Sequence, residues 1–248
     1  MNKQQTTVPP HPSLPSPPAP HRNVPAVATT EPSLLYYAAK RCLDIAGSLV
    51  GLVVLAPLFL YLALRVRHDS AGAIIYRRRV LARQKYESGE RLQTFDAYKF
   101  RTMIADADDV LHADPELLAR YQKEYKLPKD PRVTLVGVWM RPLCLDELPQ
   151  LVNVLRGQMT LVGPRMITEP ELENYAPHQA TLLQVKPGLT GLWQVRTRTD
   201  PTTYAERVQT DLHYIATRSF WGDLQILLRT VHILLQSWRQ SKKNNTGA

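Results

Sequence analysis

Twenty consecutive residues without a charge, Ile45 to Leu64 (IAGSLVGLVVLAPLFLYLAL), decide most about what this 248-residue chain can become. That length matches the hydrocarbon thickness of a bilayer and exceeds what a helix inside a small globular core needs. Both flanks are basic: Lys40 and Arg41 lead in, and Arg65, Arg67, Arg77, Arg78 and Arg79 follow. Basic flanks stay on the cytoplasmic side, so a straight span sends one of them across, whereas a re-entrant hairpin keeps both inside. Pro57 lacks an N–H and obstructs a continuous helix, which supplies a place to bend. Gly47 and Gly51 share a face against which a second element can pack closely. From the residues alone, hairpin and single span stand level, and a soluble core helix is a distant third.

The rest of the chain divides around that run. Residues 1–33 hold nine of the twenty prolines and almost no large apolar side chain. Such a segment buries too little surface to offset its ordering entropy and reads as a disordered, partly polyproline II tail. It also lacks the apolar stretch of a signal peptide. Residues 37–67 read as the membrane anchor, 68–238 as a folded domain and 239–248 as a flexible tail. The fold class is α/β in the α+β sense: a small, mostly helical cytosolic domain with short strands. Strands are expected at Gly72–Tyr76 and Thr94–Phe100, and an extended segment from Val133 to Met140. A helical stretch carries Asp106, Asp108 and Asp109, whose spacing suits a solvated face better than a metal site. Asp223 to Trp238 has its leucines at helical spacing and reads as an amphipathic helix lying on the membrane surface or on the domain.

The formal charge of +9 and pI near 9.6 point to a polyanionic partner: nucleic acid, anionic membrane or phosphorylated substrate. No helix-turn-helix pattern, zinc spacing or aromatic RNA motif supports nucleic acid, so that class is set aside. Cys42 and Cys144 make neither a disulfide framework nor a metal cluster.

The stretch Arg141-Pro142-Leu143-Cys144-Leu145-Asp146-Glu147-Leu148-Pro149-Gln150, continuing to Leu161-Val162-Gly163-Pro164-Arg165, carries the chemistry. Leu145, Leu148, Val152 and Leu155 recur at helical spacing, which puts Asp146 and Glu147 in the first turn of an amphipathic helix. There the helix dipole keeps a carboxylate ionised. The same pole, with Arg141 and Arg165 nearby, holds a phosphate. Taken alone, an acidic pair at a helix start is more often a cap than a catalytic device.

Four segments together tip the balance: Lys40-Arg41-Cys42-Leu43-Asp44 opening the anchor, Lys99-Phe100-Arg101-Thr102-Met103, LDELPQLVNVLRGQM followed by LVGPR, and KPGLTGLWQV. In this order they resemble the bacterial sugar transferases, the monotopic phosphoglycosyl transferases that start glycan assembly on polyprenyl phosphate. The resemblance covers roughly residues 37 to 238 and is closest to the exopolysaccharide and O-antigen branch. It implies a re-entrant anchor broken at Pro57, and a catalytic domain (68–238) on the cytoplasmic face of the bacterial inner membrane. It implies transfer of a sugar-1-phosphate from a nucleotide diphosphate sugar, with a UDP-hexose foremost, to undecaprenyl or polyprenyl phosphate with release of UMP. Asp146 is then the nucleophile that forms a covalent phosphosugar intermediate, and Glu147, with Asp146, holds Mg²⁺. Lys99 and Pro164-Arg165 fall in the phosphate-binding segments. Arg101 and Arg141 add positive charge there, and Arg196 and Arg198 are candidate nucleotide or sugar contacts. Membrane lipid is an implied partner, and a homodimer is left open. The competing reading is a non-catalytic, membrane-tethered scaffold of a polysaccharide assembly complex.

Overall fold

A computed structural model describes residues 32–84, 91–124, 127, 129–199 and 202–246. The expected proline-rich tail lies outside the described residues except for its last two positions.

Helix α1 (Leu34–Val54) starts at Ser33, whose hydroxyl accepts the amide of Tyr36. Leu55 ends it, and α2 (Ala56–Asp69) leaves at an angle of 64°. Pro57 stands at the start of α2, where its missing N–H removes one rung of an otherwise continuous ladder. Among the described residues no single helix is long and apolar enough to cross a membrane; the two halves of this bent pair meet that measure of length and composition only when taken together. Leu49, Val50, Val53, Val54, Leu60 and Leu64 are exposed along its outer side. The inner side is held by the domain. A methyl on Gly47 would meet Leu161 at 2.7 Å and one on Gly51 would meet Leu151 at 3.0 Å, so the small residues do seat the helix closely. Asp44 accepts from Thr160 Oγ1 and from the Leu161 amide at 2.9 and 2.8 Å. Lys40 and Arg41 turn inward too, onto Asp223 and the carbonyls of Val154, Leu155 and Val162.

Strands β1 (Ile75–Leu81) and β2 (Thr94–Phe100) form an antiparallel hairpin with Ile75 opposite Phe100 and Leu81 opposite Thr94. The first strand thus starts later than expected and contains the arginines 77–79. Helices α3 (Ala107–Ala113) and α4 (Pro115–Glu124) follow, with Asp106, Asp108 and Asp109 exposed. The segment expected to be extended from Val133 is instead helix α5 (Leu135–Met140), because Thr134 caps it by accepting the Gly137 amide. Its Val136 and Met140, four residues apart, pack on Leu62, Val66 and Phe100. Full burial of a side chain such as Leu62 or Met140 contributes about 1.5–3 kcal/mol, so this cluster ties α2 to the hairpin.

After two 3₁₀ turns, Arg141–Leu143 and Leu145–Glu147, come α6 (Gln150–Leu155) and β3 (Thr160–Val162). A third 3₁₀ segment (Pro170–Tyr175) and α7 (Gln179–Leu183) lead to β4 (Gly188–Thr190), which pairs in parallel with β3. Helices α8 (Leu192–Thr199), α9 (Tyr204–Thr217) and α10 (Phe220–Thr246) complete the chain. The main core gathers Val154, Met159, Val162, Tyr175, Leu212 and Ile215 between these elements. The amphipathic C-terminal helix is longer than expected and continues through most of the segment read as a tail. Its Trp221, Leu228, Val231 and Leu235 are exposed.

A candidate active site on a left-handed turn

The turn that carries the acidic pair is made by backbone rather than by a long helix. Arg141–Leu143 winds as 3₁₀, and Cys144 then takes φ 51° and ψ 26°, left-handed values that cost a non-glycine residue about 1 kcal/mol or more. A second 3₁₀ turn, Leu145–Glu147, follows, and α6 starts only at Gln150. Asp146 and Glu147 therefore do not occupy the first turn of an amphipathic helix. A six-residue helix further on supplies no useful pole for a phosphate, and the helix-dipole expectation fails at this point.

Side chains take its place. Lys99, near the end of β2, brings its Nζ to Glu147 Oε1 at 2.6 Å, and Arg165 Nη2 reaches the same oxygen at 3.3 Å. Burial pushes the Glu147 carboxyl up, but these two cations outweigh it and hold its pKa at about 2. For Asp146 the balance reverses. Burial dominates, so its carboxyl lies above the usual carboxylate range despite the pull of Lys99, and neighbouring Glu147 adds to the rise. Arg141 also draws it down from across the turn, while its Nε donates to Thr102 Oγ1 at 3.0 Å. The result is two adjacent buried carboxylates, one neutralised by its cations and the other short of positive charge.

Arg165 owes its position to tight packing between β3 and β4. Pro164 is buried and its carbonyl accepts the Gly188 amide at 2.8 Å. A methyl on Gly163 would lie 2.7 Å from the Lys186 carbonyl and 2.9 Å from Gly188 N, so only glycine permits the approach. Arg198 comes to the turn from α8, donating to the Pro142 carbonyl at 3.2 Å and to Cys144 Sγ. Burial pushes the Cys144 thiol up, which fits a packing residue rather than a second nucleophile.

Two expected members lie elsewhere. Arg101 points back to the end of α2, where its Nη2 donates to the Ser70 carbonyl at 2.5 Å, to Ser70 Oγ and to the Val66 carbonyl. It anchors the hairpin to β2 and does not face the acidic pair. Arg196 is exposed on α8, and its charge bears on Glu206 at the start of α9.

A set of residues that sequence reasoning did not single out stands behind Arg165. The buried Arg207 guanidinium lies 3.4 Å from Glu171 and 3.7 Å from Asp211, and is covered by the rings of Trp193 and Tyr204 at 4.9 Å each. Its Nη2 donates to the Arg165 carbonyl at 3.4 Å. Glu171 also accepts from Arg78, Thr168 and Tyr204, and Asp211 from Tyr175 at 2.7 Å. The available signal was the Arg207–Asp211 pair at i, i+4 in α9.

For metal, among the described residues no group of three or more His, Cys, Asp or Glu converges. Asp146 and Glu147 are two carboxylates, the number Mg²⁺ uses when substrate phosphates complete its shell. A buried pair of which one member, Asp146, lacks compensating charge fits such an ion.

Comparison with known proteins gives the family. The family model described as bacterial sugar transferase matches residues 35–237, and the chain belongs to that family. It is 41% identical over 201 residues to the undecaprenyl-phosphate galactose phosphotransferase of Salmonella typhimurium, covering 79% of this chain and 40% of that protein. It is 40% identical over 197 residues to the exopolysaccharide production protein ExoY of Rhizobium meliloti, covering 78% and 84%. An uncharacterized sugar transferase of Haemophilus influenzae is 40% identical over 200 residues, covering 79% and 41%. The chain thus spans about two-fifths of the Salmonella and Haemophilus proteins and most of the Rhizobium one.

Proposed function

We propose that this chain transfers a sugar-1-phosphate from a nucleotide diphosphate sugar, most simply a UDP-hexose, to undecaprenyl phosphate at the cytoplasmic face of the inner membrane. The names of the Salmonella and Rhizobium relatives support that class of reaction and a place in exopolysaccharide production. The observation that carries the reading is Asp146 on its left-handed turn, buried beside Glu147 and surrounded by Lys99, Arg141 and Arg165.

In the first half-reaction an Asp146 oxygen attacks the β-phosphorus, the bond from that phosphorus to the bridging oxygen breaks, and UMP leaves with the electron pair. In the second, an oxygen of the lipid phosphate attacks the same phosphorus and Asp146 departs as carboxylate. Splitting the displacement means that the soluble donor and the lipid acceptor need never be aligned together. Lys99, Arg141 and Arg165 neutralise phosphoryl oxygens, with arginine suited to two-point contact and lysine to a point charge. Mg²⁺, held by Glu147 and Asp146, would supply further charge to the phosphates when bound. The α1–α2 hairpin sets the turn at headgroup depth, where the acceptor's phosphate leaves the lipid.

The test has two parts. Purified protein with undecaprenyl phosphate is offered a panel of UDP-sugars and UMP is assayed. The protein is then quenched after donor alone and digested. A sugar phosphate on the peptide carrying Asp146 is the expected result; a competent enzyme with no such adduct overturns the nucleophile, and no UMP from any donor favours the scaffold reading.

A further inference from the structure

Gln194 carries an inference that neither the acidic pair nor the basic residues require. It lies in the first turn of α8, and among the described residues neither its Oε1 nor its Nε2 touches solvent or a hydrogen-bond partner. Buried side-chain amides are nearly always satisfied, and an orphan one asks for an explanation. Its location narrows the choice. A methyl on Gly191 would collide both with the carbonyl oxygen of Gly163 and, at 2.7 Å, with Gln194 Oε1, so the amide is pressed against the loop that delivers Arg165. One helical turn further along the same face, about 5.4 Å, Arg198 contacts Pro142 and Cys144 of the catalytic turn. The amide thus stands between the two elements that converge on the phosphate site.

Chemistry then selects the ligand. Lys99, Arg141, Arg165 and Arg198 already offer cations to phosphate oxygens, and a neutral amide adds little to them. An amide presents one acceptor and one donor side by side. Its complement is a group that offers one donor and one acceptor in the same way, as the imide edge of uracil does with N3–H and the adjoining carbonyl. The residue is half-buried, but its two amide atoms, beside Gly191, are shielded from water, which is where a neutral hydrogen-bond pair discriminates most.

We propose that Gln194 is the specificity-determining residue for the nucleobase, reading the imide edge of the uracil of the donor. This rests on the transferase reading above. It adds that the face formed by Gln194 and Arg198 holds the nucleoside end of the donor, while Arg165 and Lys99 hold its diphosphate.

The experiment is a two-by-two comparison of UMP or methyl-UMP release in the first half-reaction. Wild type and Gln194→Leu are each given a UDP-sugar and its N3-methyluridine analogue. In wild type, N3 methylation lowers kcat/KM about tenfold or more, as expected for loss of a buried hydrogen bond. In Gln194→Leu the unmethylated donor is weakened by a similar factor, chiefly in KM, and methylation makes no further difference. Gln194→Glu keeps an acceptor for N3–H and keeps sensitivity to methylation, which serves if the leucine variant does not fold. Equal methylation sensitivity in wild type and Gln194→Leu overturns the proposal. So does a wild type indifferent to methylation whose Gln194→Leu variant changes which sugar is accepted. Wild type that releases no nucleotide from any donor sinks the transferase reading instead, so the two failures are distinguishable.

Discussion

Two clusters of buried carboxylates and basic residues meet at Arg165, and they are built on opposite terms. On one side its guanidinium joins Lys99 at Glu147, next to Asp146. On the other its carbonyl is held by Arg207, which is enclosed by Glu171, Asp211 and two aromatic rings. In the rear cluster Glu171 accepts from several donors, and Asp211 accepts from Tyr175 beside the Arg207 guanidinium. The front cluster sits on a left-handed residue and shares one carboxylate oxygen between two cations. A protein can satisfy buried charge when stability is the aim. Leaving Asp146 short of positive charge beside a strained turn fits the function proposed above, in which a bound cation completes the balance.

The largest expected effect breaks the front cluster. Asp146→Asn should cut UMP release about a thousandfold or more while the melting temperature stays level or rises, since a neutral amide removes a costly buried charge. A fall in stability matching the fall in activity would show that the pair is structural. Next comes the rear cluster. Arg207→Met should cost about 3–5 kcal/mol of folding stability, because it strands two buried carboxylates, and thermal unfolding reads it directly. Arg207→Lys, which keeps the charge but not the planar fork, should lose less.

Within each cluster the two carboxylates should differ in the sign of their pH dependence, since burial raises Asp146 and Asp211 while the neighbouring cations lower Glu147 and Glu171. Glu147 is held at about 2 against an ordinary 4.5, so its contribution to stability is present above pH 4.5 and disappears as pH falls towards 2. Asp211 is pushed by burial to about 6 from an ordinary 3.8, so its ionisation opposes folding increasingly as pH rises from about 4 to 6. Unfolding of Glu147→Gln and Asp211→Asn, followed from pH 2 to 7, should depart from wild type in these separate windows; identical profiles would contradict the assignment. The smallest effect is expected at Cys144. Glycine there relieves the left-handed strain and should stabilise by about 1 kcal/mol, offset in part by its greater unfolded-state entropy.

Much of this was legible beforehand where a residue's role depends on near neighbours or on a period. The apolar run, the break at Pro57, the strand Thr94–Phe100 and the nearness of Arg165 to the acidic pair could be read from the chain, whereas Lys99 joined them only through the family resemblance. The misplaced elements share one cause. Val133–Met140 looked extended because its apolar residues are dense. One hydroxyl, on Thr134, turned it into a helix, and two exposed positions, Leu135 and Val138, hid the period. The spacing of Leu145, Leu148, Val152 and Leu155 suggested one helix where a left-handed cysteine and Pro149 divide it into a turn and a short helix. Arg101 could not be told from Lys99 by sequence, since neighbouring residues at a strand end serve different partners once α2 is docked. Glu171 is distant in the chain from the Arg207–Asp211 pair and meets it only through the tertiary fold.

The bond between Arg101 and the end of α2 has a mechanical side. Lys99 and Arg101 are two residues apart, yet one grips the carboxylate at the reaction centre and the other grips the foot of the apolar hairpin. A tilt of that hairpin is therefore levered through three residues of backbone to the ammonium group beside Glu147. On the function proposed above, the thickness or curvature of a membrane that held the hairpin would bear on the electrostatics around Asp146 through this short path.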